Sequence, residues 1–142
     1  MHVFIEEVRK SDKIPVLSVV EETARFLKSK KISKDGVLAT SSILKRKLYE
    51  ISLKKEGIRQ FVPDAFDQAR IGKLISNIVL KRYADKDRRA LLDIIAKLKK
   101  RGVNHVILAC TDLQLLIPHF PQLKIYDTMK VLAEATVNKI LK

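Results

Sequence analysis

Cys110 is the only cysteine in the 142-residue chain, and its setting makes it a candidate for thiol chemistry. It ends the apolar run Val106–Ala109 and precedes Thr111. The run predicts a buried parallel strand, with a helix beginning at Thr111. A thiol beside a helix N-terminus faces unpaired N–H groups, so we expect a lowered pKa and a favoured, reactive thiolate. A buried cysteine that acts as a small hydrophobe is the alternative interpretation.

Polar residues also follow other predicted strands, where they could hold a carboxylate. They are Thr40, Ser41 and Ser42 after a strand at 37–39, Thr111 after Cys110, and Asp127 with Thr128 after a strand at 123–126. Ligands of an open parallel sheet bind outside the carboxyl ends of its strands, and helix N-termini suit anions. Because Ser, Thr and Asp are also common helix caps, a purely structural role stays open for each group.

The elements that position these residues are predicted from the alternation of short apolar runs with amphipathic stretches. This rhythm is typical of βα units, and we predict an α/β fold with a parallel sheet flanked by helices. Strands are predicted at 37–39, 58–62, 106–109 and 123–126, with a brief extended piece at 16–17. Helices are predicted at 3–10, from 18 or 21 to 31, after 42 to 57, at 63–82, from 85 or 87 to 101, at 111–117 and at 128–141. Turns are predicted at 12–15 and 34–36, and a loop at 118–121.

Composition narrows the class of protein. The chain is 46% hydrophobic, which is ordinary for a globular domain with a real core. One cysteine cannot form an internal disulfide, and no Cys/His spacing suggests a metal site, so we expect a reducing, cytoplasmic setting and no bound metal. The acids Glu6 and Glu7 interrupt the apolar opening, unlike in a signal peptide, and no uninterrupted apolar run reaches the length of a membrane span.

The formal net charge of +13 is the main compositional oddity. Such a charge attracts phosphate backbones and anionic metabolites at long range. The basic residues are spread over most predicted helices, and aromatic residues make up 6% of the chain, without a basic segment that interleaves with them. We therefore expect a solvated helix surface and no nucleic-acid partner.

Three segments resemble motifs of the aspartate/glutamate racemase superfamily, in its aspartate racemase branch. Gly36–Tyr49 is similar to Gly-Val-Leu-Ala-Thr-x-Gly-Thr-x-x-Ser-x-x-Tyr. Ile107–Leu113 resembles the second cysteine motif, Gly-Cys-Thr-Glu, with Ala109 for Gly and Asp112 for Glu. Tyr126–Thr128 resembles the next landmark. The order and spacing of these motifs extend the resemblance over essentially the whole chain.

The resemblance implies an isomerase that needs no cofactor, and in particular no pyridoxal phosphate. Two cysteines on opposite faces of the substrate exchange its α-proton, and Cys110 corresponds to the second of them. Thr111 and Thr40 correspond to residues that bind the substrate carboxylate, and Ser41 or Ser42 would supply the hydroxyl that Ile43 lacks. Lys81 corresponds loosely to a lysine near the side-chain carboxylate, although it also fits an ordinary surface lysine. The substrate would be aspartate or glutamate, and the protein a homodimer.

The resemblance also implies a division of the chain. The first catalytic cysteine belongs to a Pro-Cys-Asn-Thr-Ala-His motif, and Met1 and His2 correspond to its last two positions, so that cysteine would lie upstream of residue 1. Residues 1–34 would be a connecting segment and helix from the first half. Residues 35–126 would form the second half-domain of the two-domain fold, and 127–142 a C-terminal helix that packs back toward the first half.

Three hypotheses of function follow. The first is a thiol-dependent racemase of aspartate or glutamate, here lacking one of its two cysteines. The second is a decarboxylase or isomerase of the same superfamily that relies on a single cysteine. The third is a non-catalytic module that binds anions or nucleic acid through its positive charge.

Overall fold

The computed structural model describes residues 4–11, 15–117 and 124–142, and it is built on one four-stranded parallel sheet. The spatial order of the strands is β2-β1-β3-β4, and every neighbouring pair is parallel. The strands are β1 (Lys34–Leu38), β2 (Arg59–Phe61), β3 (His105–Leu108) and β4 (Lys124–Asp127). The predicted α/β fold with a parallel sheet flanked by helices is confirmed.

Seven α-helices and one 3-10 helix surround the sheet in the described residues. They are α1 (Ile5–Ser11), α2 (Val19–Ser29), α3 (Ser41–Lys45), α4 (Leu48–Lys55), α5 (Ala65–Val79), α6 (Asp85–Lys100), the 3-10 helix (Thr111–Leu116) and α7 (Thr128–Ile140). Ser18 begins α2 by accepting the N–H of Glu21 at 3.4 Å, and Asp64 begins α5 in the same way at 2.8 Å. Such caps satisfy N–H groups that a first turn leaves unpaired.

The two faces of the sheet are covered by different helices. Val37 and Ile107 point to one face, where they pack beneath α2 and α4, and α7 lies against α2. Leu38, Val106 and Leu108 point to the other face, beneath α5, α6 and the 3-10 helix. Apolar residues therefore occur in succession in the two central strands, β1 and β3, as expected where a parallel sheet is buried on both sides.

The predicted turn at 34–36 is wrong, because these residues are the first part of β1. Lys, Asp and Gly are local turn formers, but here long-range packing decides the structure. A Cβ atom on Gly36 would lie 2.9 Å from Val106 Cγ2, so the glycine lets β1 approach β3 and the helix layer closely. The side chain of Asp35 is buried within the sheet.

The single helix predicted from 42 to 57 is also wrong, because the structure has two short helices there. The break lies at Lys47, whose φ of 53° is left-handed. A lysine at position 47 does not mark a helix break in the sequence, and the spacing of apolar residues indicates one continuous helix. The predicted extended piece at 16–17 is in no strand, and α5 ends at Val79 rather than near Arg82.

Smaller differences concern the ends of elements. The predicted helix at 111–117 is a 3-10 helix, and β4 and α7 begin within one residue of their predicted positions. The loop at 118–121, residues 12–14 of the predicted turn, Leu123, and the opening Met1–Val3 with its motif lie outside the described residues. None of the helices in the described ranges is long and apolar enough to cross a membrane.

Candidate active site

The chain diverges between the carboxyl ends of β1 and β3, which are neighbours in the sheet, and we call this place the crevice. After β1 the chain turns to α3 and α4 on the α2 face, whereas after β3 it turns to the 3-10 helix on the α5 face. Such a divergence is where open α/β sheets place their ligands. The N–H groups of Ala109 and Cys110 both donate to the carbonyl of Leu38, at 2.9 and 3.2 Å. These bonds hold Cys110 beside the end of β1.

Cys110 is buried, with 9% of its surface exposed, and burial raises the pKa of its thiol. The backbone N–H groups of Asp112 and Leu113 oppose this shift, but the Asp112 carboxylate adds to it, with Oδ2 3.9 Å from Sγ. The predicted lowering of the pKa is therefore wrong. The helix that follows is a single 3-10 segment of six residues, and its N–H groups do not outweigh desolvation and a nearby negative charge.

The hydroxyl residues after β1 differ in how they are engaged. Thr40 caps α3, because its Oγ1 accepts the N–H of Ile43 at 3.4 Å, and its side chain is half-buried. Ser41 and Ser42 are exposed in the first turn of α3. Among the described residues, the hydroxyl of Thr40 only accepts a hydrogen bond, so its proton is available for an anion in the crevice.

The polar residues after β3 and β4 differ in whether their side chains already form hydrogen bonds within the fold. Thr111 is half-buried at the start of the 3-10 helix. The Thr128 hydroxyl is buried and donates to the carbonyl of Leu108 at 3.0 Å, while Asp127 caps α7 by accepting the N–H of Met129 at 2.9 Å. The side chains of Thr128 and Asp127 thus form hydrogen bonds that stabilise the fold. These contacts do not support the carboxylate-binding role predicted for the polar residues after the fourth strand.

Lys81 lies just beyond α5 and lines an open cleft of about 720 Å³. Its φ of 54° turns the chain sharply at this point. The same cleft is lined by Asp112, together with Tyr83 and Leu115. Because Asp112 also contacts the thiol of Cys110, the cleft with its lysine adjoins the predicted thiol site.

No group of three or more His, Cys, Asp or Glu residues suited to a metal ion occurs in the described ranges. The crevice and the adjoining cleft carry a thiol, hydroxyls, a carboxylate and an ammonium group. These groups can bind a carboxylate and move a proton.

Comparison with known proteins places these residues in a family. A family profile described as Asp/Glu/Hydantoin racemase matches residues 1–136. The chain belongs to this racemase family. The resemblance predicted from the cysteine and threonine motifs is confirmed.

The similar proteins are longer than this family member. The broad specificity amino-acid racemase RacX of Bacillus subtilis is 28% identical over 99% of the chain, which spans 61% of that protein. The structure of a candidate Asp/Glu racemase from Yersinia pestis has a TM-score of 0.91 and 27% identity, covering all of this chain and 63% of its own. An aspartate racemase homologue from Pyrococcus horikoshii OT3 shares the fold, with a TM-score of 0.88 at 19% identity, over 99% of this chain and 63% of its own.

Two residues at the site of this racemase-family chain were missed by sequence reasoning. Gln68 reaches from α5, and its Nε2 donates to the carbonyl of Ala39 at 2.9 Å and to Ser41 Oγ at 3.4 Å. Its Oε1 is buried and has no hydrogen-bond partner in the described part of the chain. Asp112 was noted only as a difference from the motif. Its position two residues after Cys110 indicates a contact with the thiol, whereas nothing in the sequence indicates a role for Gln68.

Proposed function

We propose that the chain carries the second half of an amino-acid racemase active site, which acts without a cofactor on aspartate or glutamate. The observation that carries this proposal is the place of Cys110 in the crevice between β1 and β3, linked through Asp112 to the cleft that holds Lys81. The family match supports the racemase class, and the name of RacX supports an amino acid as substrate.

The proposed reaction moves one proton off the α-carbon and another onto its opposite face. A thiolate takes the α-hydrogen, and the electron pair of the C–H bond is delocalised into the α-carboxylate. A thiol on the other side then donates its proton and leaves the mirror-image amino acid. The raised pKa of Cys110 suits the donating thiol.

Because the chain has one cysteine, a two-thiol reaction takes its second thiol from elsewhere. We place this thiol in the part of the relatives' length that residues 1–142 do not span, as the resemblance to the first cysteine motif implies. The homodimer, the cytoplasmic setting and the division at residues 34 and 126 stay predictions.

Substrate recognition follows from the charges around the crevice. Thr40 and Thr111 would bind the α-carboxylate through their hydroxyl and N–H groups, with Ser41 or Ser42 beside them. Lys81 would attract the side-chain carboxylate across the cleft it shares with Asp112. An ammonium group there favours a dicarboxylic amino acid over a neutral one.

Alkylation of the only cysteine tests this site without requiring complete turnover. We expect aspartate or glutamate to slow the reaction of Cys110 with iodoacetamide, whereas alanine protects weakly. Lys81→Gln should reduce protection by aspartate, and Lys73→Gln, an exposed lysine on α5, should not. Equal protection by alanine and aspartate, or no effect of Lys81→Gln, would contradict the assigned recognition.

Exchange of the α-hydrogen tests the chemistry itself. In deuterium oxide, we expect the chain extended through the first cysteine motif to exchange and racemise aspartate, and Cys110→Ala to lower the rate by about 10²- to 10⁴-fold. Proton NMR measures the loss of the α-hydrogen signal. Exchange that persists in Cys110→Ala would remove the thiol from the mechanism.

A single-thiol reaction is the second candidate, and the presence of only one cysteine in these residues favours it. Such an enzyme would release carbon dioxide from a malonate-type acid and protonate the resulting carbanion from Cys110. Release of carbon dioxide by the unextended chain, lost in Cys110→Ala, would support this function over racemisation.

A further inference from the structure

The amino edge of the sheet, opposite the crevice, carries basic side chains from the ends of α2, α4 and α6 and from the starts of β1, β2 and β4. α2, α4 and α6 each end shortly before a strand begins, and all four strands begin at this edge because they are parallel. We call the resulting surface the basic edge. Its members are Lys28, Lys30, Lys31, Lys34, Lys54, Lys55, Arg59, Lys99, Lys100, Arg101 and Lys124, and all of them are exposed.

Side-chain contacts show that these separate segments meet. Lys28 Nζ lies 3.2 Å from Glu56 Oε2, which joins the ends of α2 and α4. The guanidinium groups of Arg59 and Arg101 both lie over the ring of Phe61, at 5.0 and 5.4 Å from its centroid. These contacts connect β2 with the end of α6. Basic residues occur on most helices, as predicted, and the parallel topology also places eleven of the 29 at this one edge.

The concentration exceeds what the helices themselves require. A cation near a helix C-terminus interacts favourably with the helix dipole, but this effect is confined to the last turn. Lys34, Arg59 and Lys124 begin strands, so no helix dipole accounts for them. Glu56 and the buried Asp35 are the only acids in segments 28–35, 54–59, 99–105 and 124. Within the described residues, Lys28 alone of the basic-edge cations forms an ion pair.

We propose that the basic edge binds nucleic acid through its phosphate backbone, independently of base sequence. Closely spaced Lys and Arg side chains, of which only Lys28 has an acidic partner among the described residues, are suited to phosphates. Contact with the ring of Phe61 holds the guanidinium groups of Arg59 and Arg101 in place, and Arg101 also donates to the carbonyl of Val62 at 2.7 Å. The large apolar side chains exposed elsewhere on the described surface do not occur in these segments, so the surface offers no anchor for a bilayer. Few aromatic residues are available to read bases, which favours backbone contact alone.

The position of this surface makes it independent of the proposed racemase site. The strands separate the two edges by roughly 15 Å, at about 3.3 Å per residue. A bound nucleic acid would therefore leave the crevice and Cys110 free. Cys110→Ser should bind nucleic acid as the wild type does, so failure of either proposal can be recognised without the other.

Fluorescence anisotropy with a labelled DNA duplex of random sequence tests the proposal. The edge variant is Lys30→Gln, Lys34→Gln, Lys55→Gln and Lys99→Gln together, and the control variant is Lys73→Gln, Lys86→Gln, Lys130→Gln and Lys139→Gln. Both lose the same charge from exposed positions. We expect the edge variant to bind at least about tenfold more weakly at low salt. Its slope of log affinity against log salt should fall by about 0.9 for each lost phosphate contact. The control should stay close to the wild type.

Three results would overturn the proposal. The first is no binding of the wild type to the duplex at low salt. The second is an equal loss in both variants, which would mean diffuse attraction by net charge. The third is binding to phosphatidylserine vesicles without binding to the duplex, which would assign the surface to membranes. Circular dichroism of each variant checks that its fold is unchanged.

Discussion

The two edges of the sheet carry opposite kinds of polar group, although the same strands connect them. At the carboxyl edge, the Thr40 hydroxyl and the Asp127 carboxylate accept N–H groups at helix starts, the Thr128 hydroxyl donates to a backbone carbonyl, and the thiol of Cys110 is buried. At the amino edge, eleven basic side chains are exposed, and only one of them has an acidic partner in the described ranges.

Ordinary rules for helix ends, combined with parallel topology, explain only part of this contrast. Ser, Thr and Asp favour helix starts, and Lys and Arg favour helix ends. In a parallel sheet with returning helices, the starts gather at one edge and the ends at the other. This local preference places capped helix starts at one edge and basic helix ends at the other, and Lys34, Arg59 and Lys124 at the strand starts add to the charge of the second edge.

The largest expected effect is a loss of stability when a side chain is added at the middle of β1, between the two edges. Gly36→Ala should lower the free energy of unfolding by about 1–3 kcal/mol, because the new Cβ meets Val106 Cγ2 at 2.9 Å. Gly72→Ala in α5 meets nothing within 4 Å and should raise it by about 0.5–1 kcal/mol. Urea denaturation measures both. Wild-type stability of Gly36→Ala would mean that β1 and β3 are less tightly packed than described.

The buried carboxyl group behind the basic edge predicts a pH-dependent stability. Burial raises the pKa of Asp35 well above its ordinary value, and the nearby N–H of Ile107 opposes this only in part. Neither oxygen of Asp35 has a hydrogen-bond partner among the described residues. The folded state holds this proton more tightly than the unfolded chain. The contribution to stability is therefore present below the unfolded pKa of about 3.9 and is lost as the pH rises through the folded pKa.

Asp35→Asn should accordingly be more stable than the wild type at pH 8, by about 1–3 kcal/mol, with the difference shrinking toward pH 4. Asp93→Asn is the control, for which we expect the opposite change in stability. The hydrogen bond from Arg70 lowers the pKa of Asp93, so this substitution should destabilise the protein at pH 8 and lose its effect at low pH. Thermal melts over this pH range measure both variants. A less stable Asp35→Asn at pH 8 would contradict the assigned burial.

Substitution can separate the hydroxyls of the carboxyl edge that stabilise the fold from those proposed to bind substrate. Thr128→Val removes the bond to the carbonyl of Leu108 and should cost about 1 kcal/mol of stability. It should leave the protection of Cys110 by aspartate unchanged. Thr128→Ser keeps the hydroxyl and should recover most of the loss, as measured by chemical denaturation. A loss of protection in Thr128→Val would assign this residue to substrate binding as well.

The smallest expected effect concerns the charge beside the thiol. Asp112→Asn removes a negative charge that raises the pKa of Cys110, so alkylation at pH 8 should become severalfold faster. Asp127→Asn, which changes a helix cap on the neighbouring strand, should leave the rate unchanged. Mass spectrometry follows the single modification. Slower alkylation of Asp112→Asn would show that the carboxylate activates the thiol.

The predictability of the fold differs from element to element for local reasons. The starts of α2 and α5 can be predicted from Ser18 and Asp64, because a capping side chain binds an N–H group only three residues away. The segment 34–36 was misread, because its residues form turns in isolation while its strand depends on contacts with Val106. At the site, Cys110 and Thr40 could be found at strand ends, but the bonds from Gln68 depend on how α5 lies against the loop after β1.

The sequence by itself determined the alternation of strands and helices, most helix starts, the place of the only cysteine at a strand end, and the family. Tertiary structure decided the direction of the Cys110 pKa shift, the placement of Lys81 and Asp112 along the same cleft, and the concentration of basic residues at one edge. Caps and apolar periodicity act between residues close in the chain. Desolvation and charge act through distances in space, which exist only after the chain has folded.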